Sequence, residues 1–191
     1  MPALNWTISL LVGLGNPGLL YALTRHNIGF LLLDALVKSK GGCWEENKKC
    51  KCQVAVISIA NHKVYCIKPQ TFMNLSGEAV QAFCHYFKLK AEEVLVVCDD
   101  VTIPWSKFKV STIPGNAGHN GIKSLISHLG NGFVRYRIGL GSPTIQLDNF
   151  VLGRLTEQEI TELPEVAKKF EKNIEVLIDK GVIKGLNFIE R

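Results

Sequence analysis

No stretch of this sequence approaches the roughly 18 consecutive apolar residues that a membrane-spanning helix needs. The longest early apolar stretch, Ile8 to Leu14, has no Lys or Arg before it and runs into Gly-Asn-Pro-Gly. No membrane association and no signal peptide are therefore expected. Internal repeats and low-complexity tracts are missing, which leaves no basis for a solenoid or a disordered array. There is no G-x-S-x-G elbow, no Walker A loop, no H-E-x-x-H helix and no catalytic cysteine signature, so the common marked nucleophiles and metal hydrolases are excluded. Acidic residues are also missing locally. From Val101 to Leu147 there is no Asp or Glu, although an even spread of the chain's 17 would place about four there.

What remains is an ordinary globular composition. The 191 residues are 47% hydrophobic and 20% charged, with a net charge of +5. That length supports one well-cored domain over residues 1–191 rather than two. The acid-free window carries Lys107, Lys109, Lys123, Arg135 and Arg137, a plausible surface for a polyanion. The six cysteines lack the paired spacing of a zinc site. Cys50-Lys51-Cys52 with Cys43 nearby is too weak for one, and reduced thiols in a cytosolic protein are the expected state.

Strands alternate with helices along the chain. Ile8–Val12 and the wholly apolar Val94–Cys98 read as buried strands, and Gln53–Ile59 with Lys63–Lys68 as a pair joined by a turn at 60–62. Phe108–Ser111 and Arg135–Leu140 are further strands. Helices are expected over Asn27–Lys40, Leu75–Phe87 and Asn120–Leu129. Near the C-terminus Thr156 and Glu159 have capping-box spacing, Pro164 suits a first helical turn, and an apolar stripe runs to Gly181, marking 156–181 as helical. The fold class is α/β: a single globular domain whose twisted, mixed, largely parallel sheet is surrounded by helices.

Chemistry-bearing residues cluster at strand exits. Gly13-Leu14-Gly15-Asn16-Pro17-Gly18 satisfies G-x-G-x-x-G, but Asn-Pro-Gly is a turn signal and no helix starts at once. Asp34 also falls inside a helical pattern, so a dinucleotide site is disfavoured. The better reading is a loop presenting Asn16 at the carboxyl edge of the sheet. His26, in Thr24-Arg25-His26-Asn27, suits a general base near neutral pH. One of Asp99 and Asp100, at the exit of Val94–Cys98, could orient its imidazole. Asp99 and Asp100 together raise the thought of Mg²⁺, but no third oxygen ligand is apparent. The loop 115–121 opens a helix with Asn120 available as N-cap, and Lys68 to Gly77 offers Met73 and Asn74 at another strand exit. Such a set, without a marked nucleophile, suits water activated by histidine to attack an ester or amide.

Taken together, VGLGNPG-x₂-Y-x₂-TRHNIGF, KPQTFMNLSG, the VCDD strand exit, AGHNGIKS and RYRIGLGSP resemble the bacterial-type peptidyl-tRNA hydrolases. The resemblance implies hydrolysis of the ester between peptide and tRNA, with His26 as catalytic base and Asp99 orienting it. It implies substrate binding by Asn16, Tyr21, Met73, Asn74, His119 and Asn120, and a grip on the tRNA acceptor end by Lys107, Lys109 and Arg137. It further implies a cytoplasmic monomer without metal or cofactor, and a mobile gate at 142–153. Thr102, where the family commonly has an acid, and the segment Ser111 to Pro114 depart from its pattern. The alternatives are a non-catalytic RNA-binding relative of the same fold and, on G-x-G-x-x-G alone, a nucleotide-dependent oxidoreductase.

Overall fold

Strands that are apolar on both faces require cover on both faces, and such strands form the centre of the molecule. The structure is a computed structural model describing residues 6–143 and 145–190. In chain order its elements begin with β1 (Leu10–Gly13), α1 (Ile28–Ser39), β2 (Glu45–Asn47), β3 (Cys52–Ile59) and β4 (His62–Pro69). There follow α2 (Ser76–Phe87), β5 (Val94–Asp100), β6 (Phe108–Ser111), α3 (Asn120–Leu129) and β7 (Val134–Gly139). The chain ends in α4 (Leu147–Leu152), α5 (Glu157–Lys180) and α6 (Val182–Gly185).

One mixed sheet runs in the order β2-β3-β4-β1-β5-β7-β6. Its four central strands, β4, β1, β5 and β7, are parallel, and both edges are antiparallel. Every residue of β1 and β5 is buried. Alternate side chains divide the core in two. Leu11, Leu95 and Val97 pack with α1 and α5, whereas Leu10, Val12, Val94 and Val96 pack with α2 and α3. The β3–β4 turn uses Ala60 and Asn61 at φ 48° and 63°, the left-handed pair that matches the twist of a two-residue hairpin.

The α/β, mixed-sheet expectation holds, with several local corrections. β1 starts at Leu10 rather than Ile8, and β5 continues to Asp100, so both aspartates belong to the strand's end. The edge strand β2 has no apolar alternation to announce it. The capping box forms at Thr156 and Glu159, and α5 therefore starts seven residues before Pro164. That proline lies inside the helix, not in its first turn, and forgoes one backbone hydrogen bond there. Residues 147–152, within the expected gate, form the short helix α4; Thr144, in the same expected gate, lies outside the described residues.

Close backbone approach explains much of the glycine pattern. A Cβ at Gly29 would lie 2.5 Å from the Val97 carbonyl oxygen and 2.6 Å from that of Leu14, and one at Gly13 would lie 2.6 Å from the Gly29 carbonyl oxygen. The start of α1 thus sits directly on β1 and β5, which fixes the residues just before it against the sheet. Backbone atoms in three elements cannot yield cheaply, so Gly29→Ala should cost about 1–3 kcal/mol and lower Tm by about 5 °C. An unchanged thermal melt of that variant would contradict this packing.

Candidate active site

The carboxyl ends of parallel strands form the binding edge of an α/β sheet because the loops leaving them lie side by side. Three such loops meet here. After β1, the Asn16 backbone is clasped by the Asn27 side chain: Asn16 N–H donates to Asn27 Oδ1 at 2.8 Å, and Asn27 Nδ2 donates to the Asn16 carbonyl at 2.9 Å. After β4, Met73 N–H donates to Asn16 Oδ1 at 2.7 Å. The Asn16 carbonyl end is thereby spent on the fold, and its Nδ2 makes no hydrogen bond among the described residues. The chain after β1 turns through Gly18 at φ 101° and reaches the short helical turn Arg25–Asn27 without opening a helix at the glycines. This removes the dinucleotide reading, which needs a helix N-terminus there.

At the end of β5, buried Asp99 meets two imidazoles. His26 Nδ1 lies 2.9 Å and His119 Nε2 3.0 Å from the same oxygen, Oδ1, and the two rings are 4.8 Å apart. His119 Nδ1 accepts from the backbone N–H groups of Gly121 and Ile122 at 3.1 and 3.3 Å. It therefore carries its proton on Nε2 and donates it to Asp99. His26 likewise donates from Nδ1, which leaves a lone pair on its Nε2. Burial alone would push the Asp99 carboxyl up, but His119 and His26, by charge and by hydrogen bond, hold it well below the usual carboxylate range.

His119, rather than Asn120, is the N-cap of α3. An imidazole nitrogen does what a shorter Asn side chain was expected to do, because the loop already brings His119 to Asp99. Asn120 is exposed instead and lines the cleft. The cap also decides whether His26, Asp99 and His119 suit a metal. Their ligand atoms lie within 4.8 Å of one another, but ligation through His119 Nε2 would require protonating Nδ1 and would sacrifice both cap bonds. The donor chemistry therefore fits a metal poorly. Asp100 takes no part in this network: its Oδ1 accepts from Thr102 N–H and Oγ1 at 2.8 and 2.6 Å, and its Oδ2 from Arg137 Nη1 at 2.9 Å.

A cleft of about 290 Å³ opens beside this network, lined by His26, Asp99, Lys109, His119, Asn120 and Arg137 among others. Lys109 and Arg137 are direct partners across β6 and β7, and the Asp100 carboxylate relieves the repulsion between them. Asn16, Tyr21, Met73 and Asn74 do not line that cleft. Met73 and His119 both lie against Gly121, where a Cβ would be 2.5 Å from Met73 Sδ and 3.1 Å from His119 Cε1. Asn74 is exposed, and Tyr21 meets exposed Phe72 edge-on at 6.2 Å. Lys107 and Lys123 are exposed outside the cleft. Arg135 is 3% exposed, with its guanidinium donating to the Phe133 carbonyl and Asn131 Oδ1, so the basic surface is narrower than the charge count suggests. Sequence reasoning gave Asn27 no role of its own, since it was in view only as the neighbour of His26 and the start of a helix.

The family model described as Peptidyl-tRNA hydrolase matches residues 10–191. The chain belongs to the peptidyl-tRNA hydrolase family. It is 42% identical over 183 residues to a peptidyl-tRNA hydrolase of Gloeobacter violaceus, covering 94% of this chain and 92% of that one. A Bdellovibrio bacteriovorus peptidyl-tRNA hydrolase is 39% identical over 180 residues, with 92% and 96% covered. A crystal structure of peptidyl-tRNA hydrolase from Acinetobacter baumannii superposes with a TM-score of 0.89 at 32% identity, covering 95% and 94% of the two chains. No helix among the described residues is long and apolar enough to cross a membrane.

The depressed Asp99 value carries a stability consequence. Its contribution is fully present above the unfolded aspartate value of about 3.9 and drains as pH falls towards the lower folded value. Asp99→Asn should therefore differ most from the parent in denaturant melts at about pH 5, with the gap closing towards about pH 2. A gap that stays constant over that range would contradict the assignment.

Proposed function

We propose that this chain hydrolyses the ester joining a peptide to the 3′ ribose of tRNA, using water activated at His26 Nε2. The observation that carries this reading is the hydrogen bond from His26 Nδ1–H to Asp99. It leaves a basic nitrogen beside a cleft and a carboxylate able to support the imidazolium that forms. As water attacks the ester carbonyl, its proton passes to His26. When the tetrahedral intermediate collapses, the same proton returns to the departing ribose oxygen, so the base is regenerated. No cofactor enters this scheme.

Asn16 Nδ2, with Asn74 and Asn120, holds the substrate or polarises its carbonyl. Tyr21 and Met73 shape the peptide side, and His119 closes the wall between them. Lys107, Lys109 and Arg137 take acceptor-stem phosphates, which an A-form helix presents by shape and charge rather than by sequence. Residues 142–153 serve as the gate, with α4 supplying one wall of the cleft. The protein acts in translation, as a cytoplasmic monomer. Six cysteines without disulfides suit a reducing compartment. The non-catalytic RNA-binding alternative is weaker, because phosphate docking gives no reason to bury a carboxylate against two imidazoles.

His26→Ala should lower kcat by about 10²- to 10⁴-fold in a peptidyl-tRNA cleavage assay while leaving tRNA affinity nearly unchanged; retained turnover would sink the mechanism. Lys109→Ala should weaken tRNA binding and flatten its dependence of log K on log salt by about 0.7 to 0.9. Arg137→Ala should flatten it less, since Asp100 already neutralises part of that charge. Equal salt slopes for parent and both variants would contradict the phosphate role.

A further inference from the structure

Arg25 precedes the proposed base by one residue and does not line the cleft, yet its side chain is held by both an edge and a face. Nε and Nη2 donate to the two carboxylate oxygens of Glu159 at 3.1 and 2.9 Å, with both side chains 13% exposed. The guanidinium also lies over the Phe150 ring, 4.7 Å from its centroid. Glu159 is itself held from behind by the capping box: its Oε2 accepts from Thr156 N–H at 2.6 Å, and its own N–H donates to Thr156 Oγ1 at 3.2 Å. Backbone ties run alongside. Arg25 N–H donates to the Gly153 carbonyl at 3.0 Å, Leu155 N–H to that of Leu23 at 2.9 Å, and Thr24 pairs with Arg154 in an antiparallel bridge.

These contacts place one side chain between three elements. Phe150 belongs to α4, whose Leu147, Asp148 and Val151 line the cleft; Glu159 belongs to the first turn of α5; and Arg25 begins the helical turn that carries His26. We propose that Arg25 is a positioning residue that fixes the α4 wall of the cleft relative to the base. Substrate then meets a gap whose width is preset instead of one it must order at its own cost. Both the fork and the plane of the guanidinium are in use, and an ammonium offers neither. The inference rests on His26 being the base in this cleft.

Peptidyl-tRNA hydrolysis kinetics and amide hydrogen exchange over 147–155 test this in Arg25→Ala, Arg25→Lys, Phe150→Ala and Glu159→Gln. Arg25→Ala should raise KM about tenfold, change kcat by less than about threefold, and leave the pH profile of kcat/KM unaltered. Its 147–155 amides should exchange about tenfold faster than those of the parent. Lysine at 25 should not rescue either readout, and Phe150→Ala should shift both in the same direction by less. KM and exchange both within about twofold of the parent, with only Tm lowered, would show a merely structural role and overturn the proposal. A displaced pH profile would also overturn it, by placing Arg25 on the base itself. Should Arg25→Ala not fold, Phe150→Ala and Glu159→Gln each remove one arm and are judged by the same two readouts. Exchange needs no turnover, so a failure of the His26 mechanism is told apart from a failure of this coupling.

Discussion

One carboxylate oxygen, Oδ1 of Asp99, accepts an N–H from each of two imidazoles, and the arrangement of the cleft follows from that pairing. A buried charge without partners is costly, so Asp99 holds His26 and His119 as firmly as they hold it. His119 in turn caps α3 through its other nitrogen, which makes the start of a helix part of the same network. The tautomer of His26 is decided at a distance, by a carboxylate whose position the end of β5 fixes. Removing any member leaves a polar group unsatisfied in the interior, which is why base, orienter and cap behave as one unit.

The sheet makes this possible at small local expense. Four parallel strands deliver their carboxyl ends to one edge, and glycine backbones let α1 press against β1 and β5 until His26 and Asn27 reach that edge. Asn27 then organises the Asn16 loop, and Asn16 organises Met73, so loops distant in sequence are tied by side-chain amides. On the other flank, Asp100 divides its two oxygens between Thr102 and Arg137. Adjacent aspartates of one strand thus serve opposite ends of the site, the first orienting the proposed base and the second tempering a cation.

Local patterns were legible in the sequence, and long-range pairings were not. The apolar run into β5, the helical patterns of α1 and α2, and the Thr156–Glu159 cap are set by near neighbours and are found where the pattern places them. The motifs also mark His26 and Asp99, though nothing local says that His119 shares the same oxygen or that it displaces Asn120 as the cap. Asn27 was hidden because its partner lies across a loop with no periodicity. Arg135 counted as a surface cation because alternation along β7 does not reveal which arginine finds carbonyl partners inside. Pro164 misled because a proline that suits a first turn is also tolerated within a long helix once packing supplies the stability.

The site turns on protons at four ring nitrogens, and imidazole ¹⁵N spectra of the uniformly labelled protein above neutral pH observe them directly. The arrangement predicts His26 protonated on Nδ1 with Nε2 bare, and His119 the reverse, protonated on Nε2 with Nδ1 accepting. A His26 ring carrying its proton on Nε2 would contradict the account, because the nitrogen assigned to the attacking water would then have no lone pair to offer.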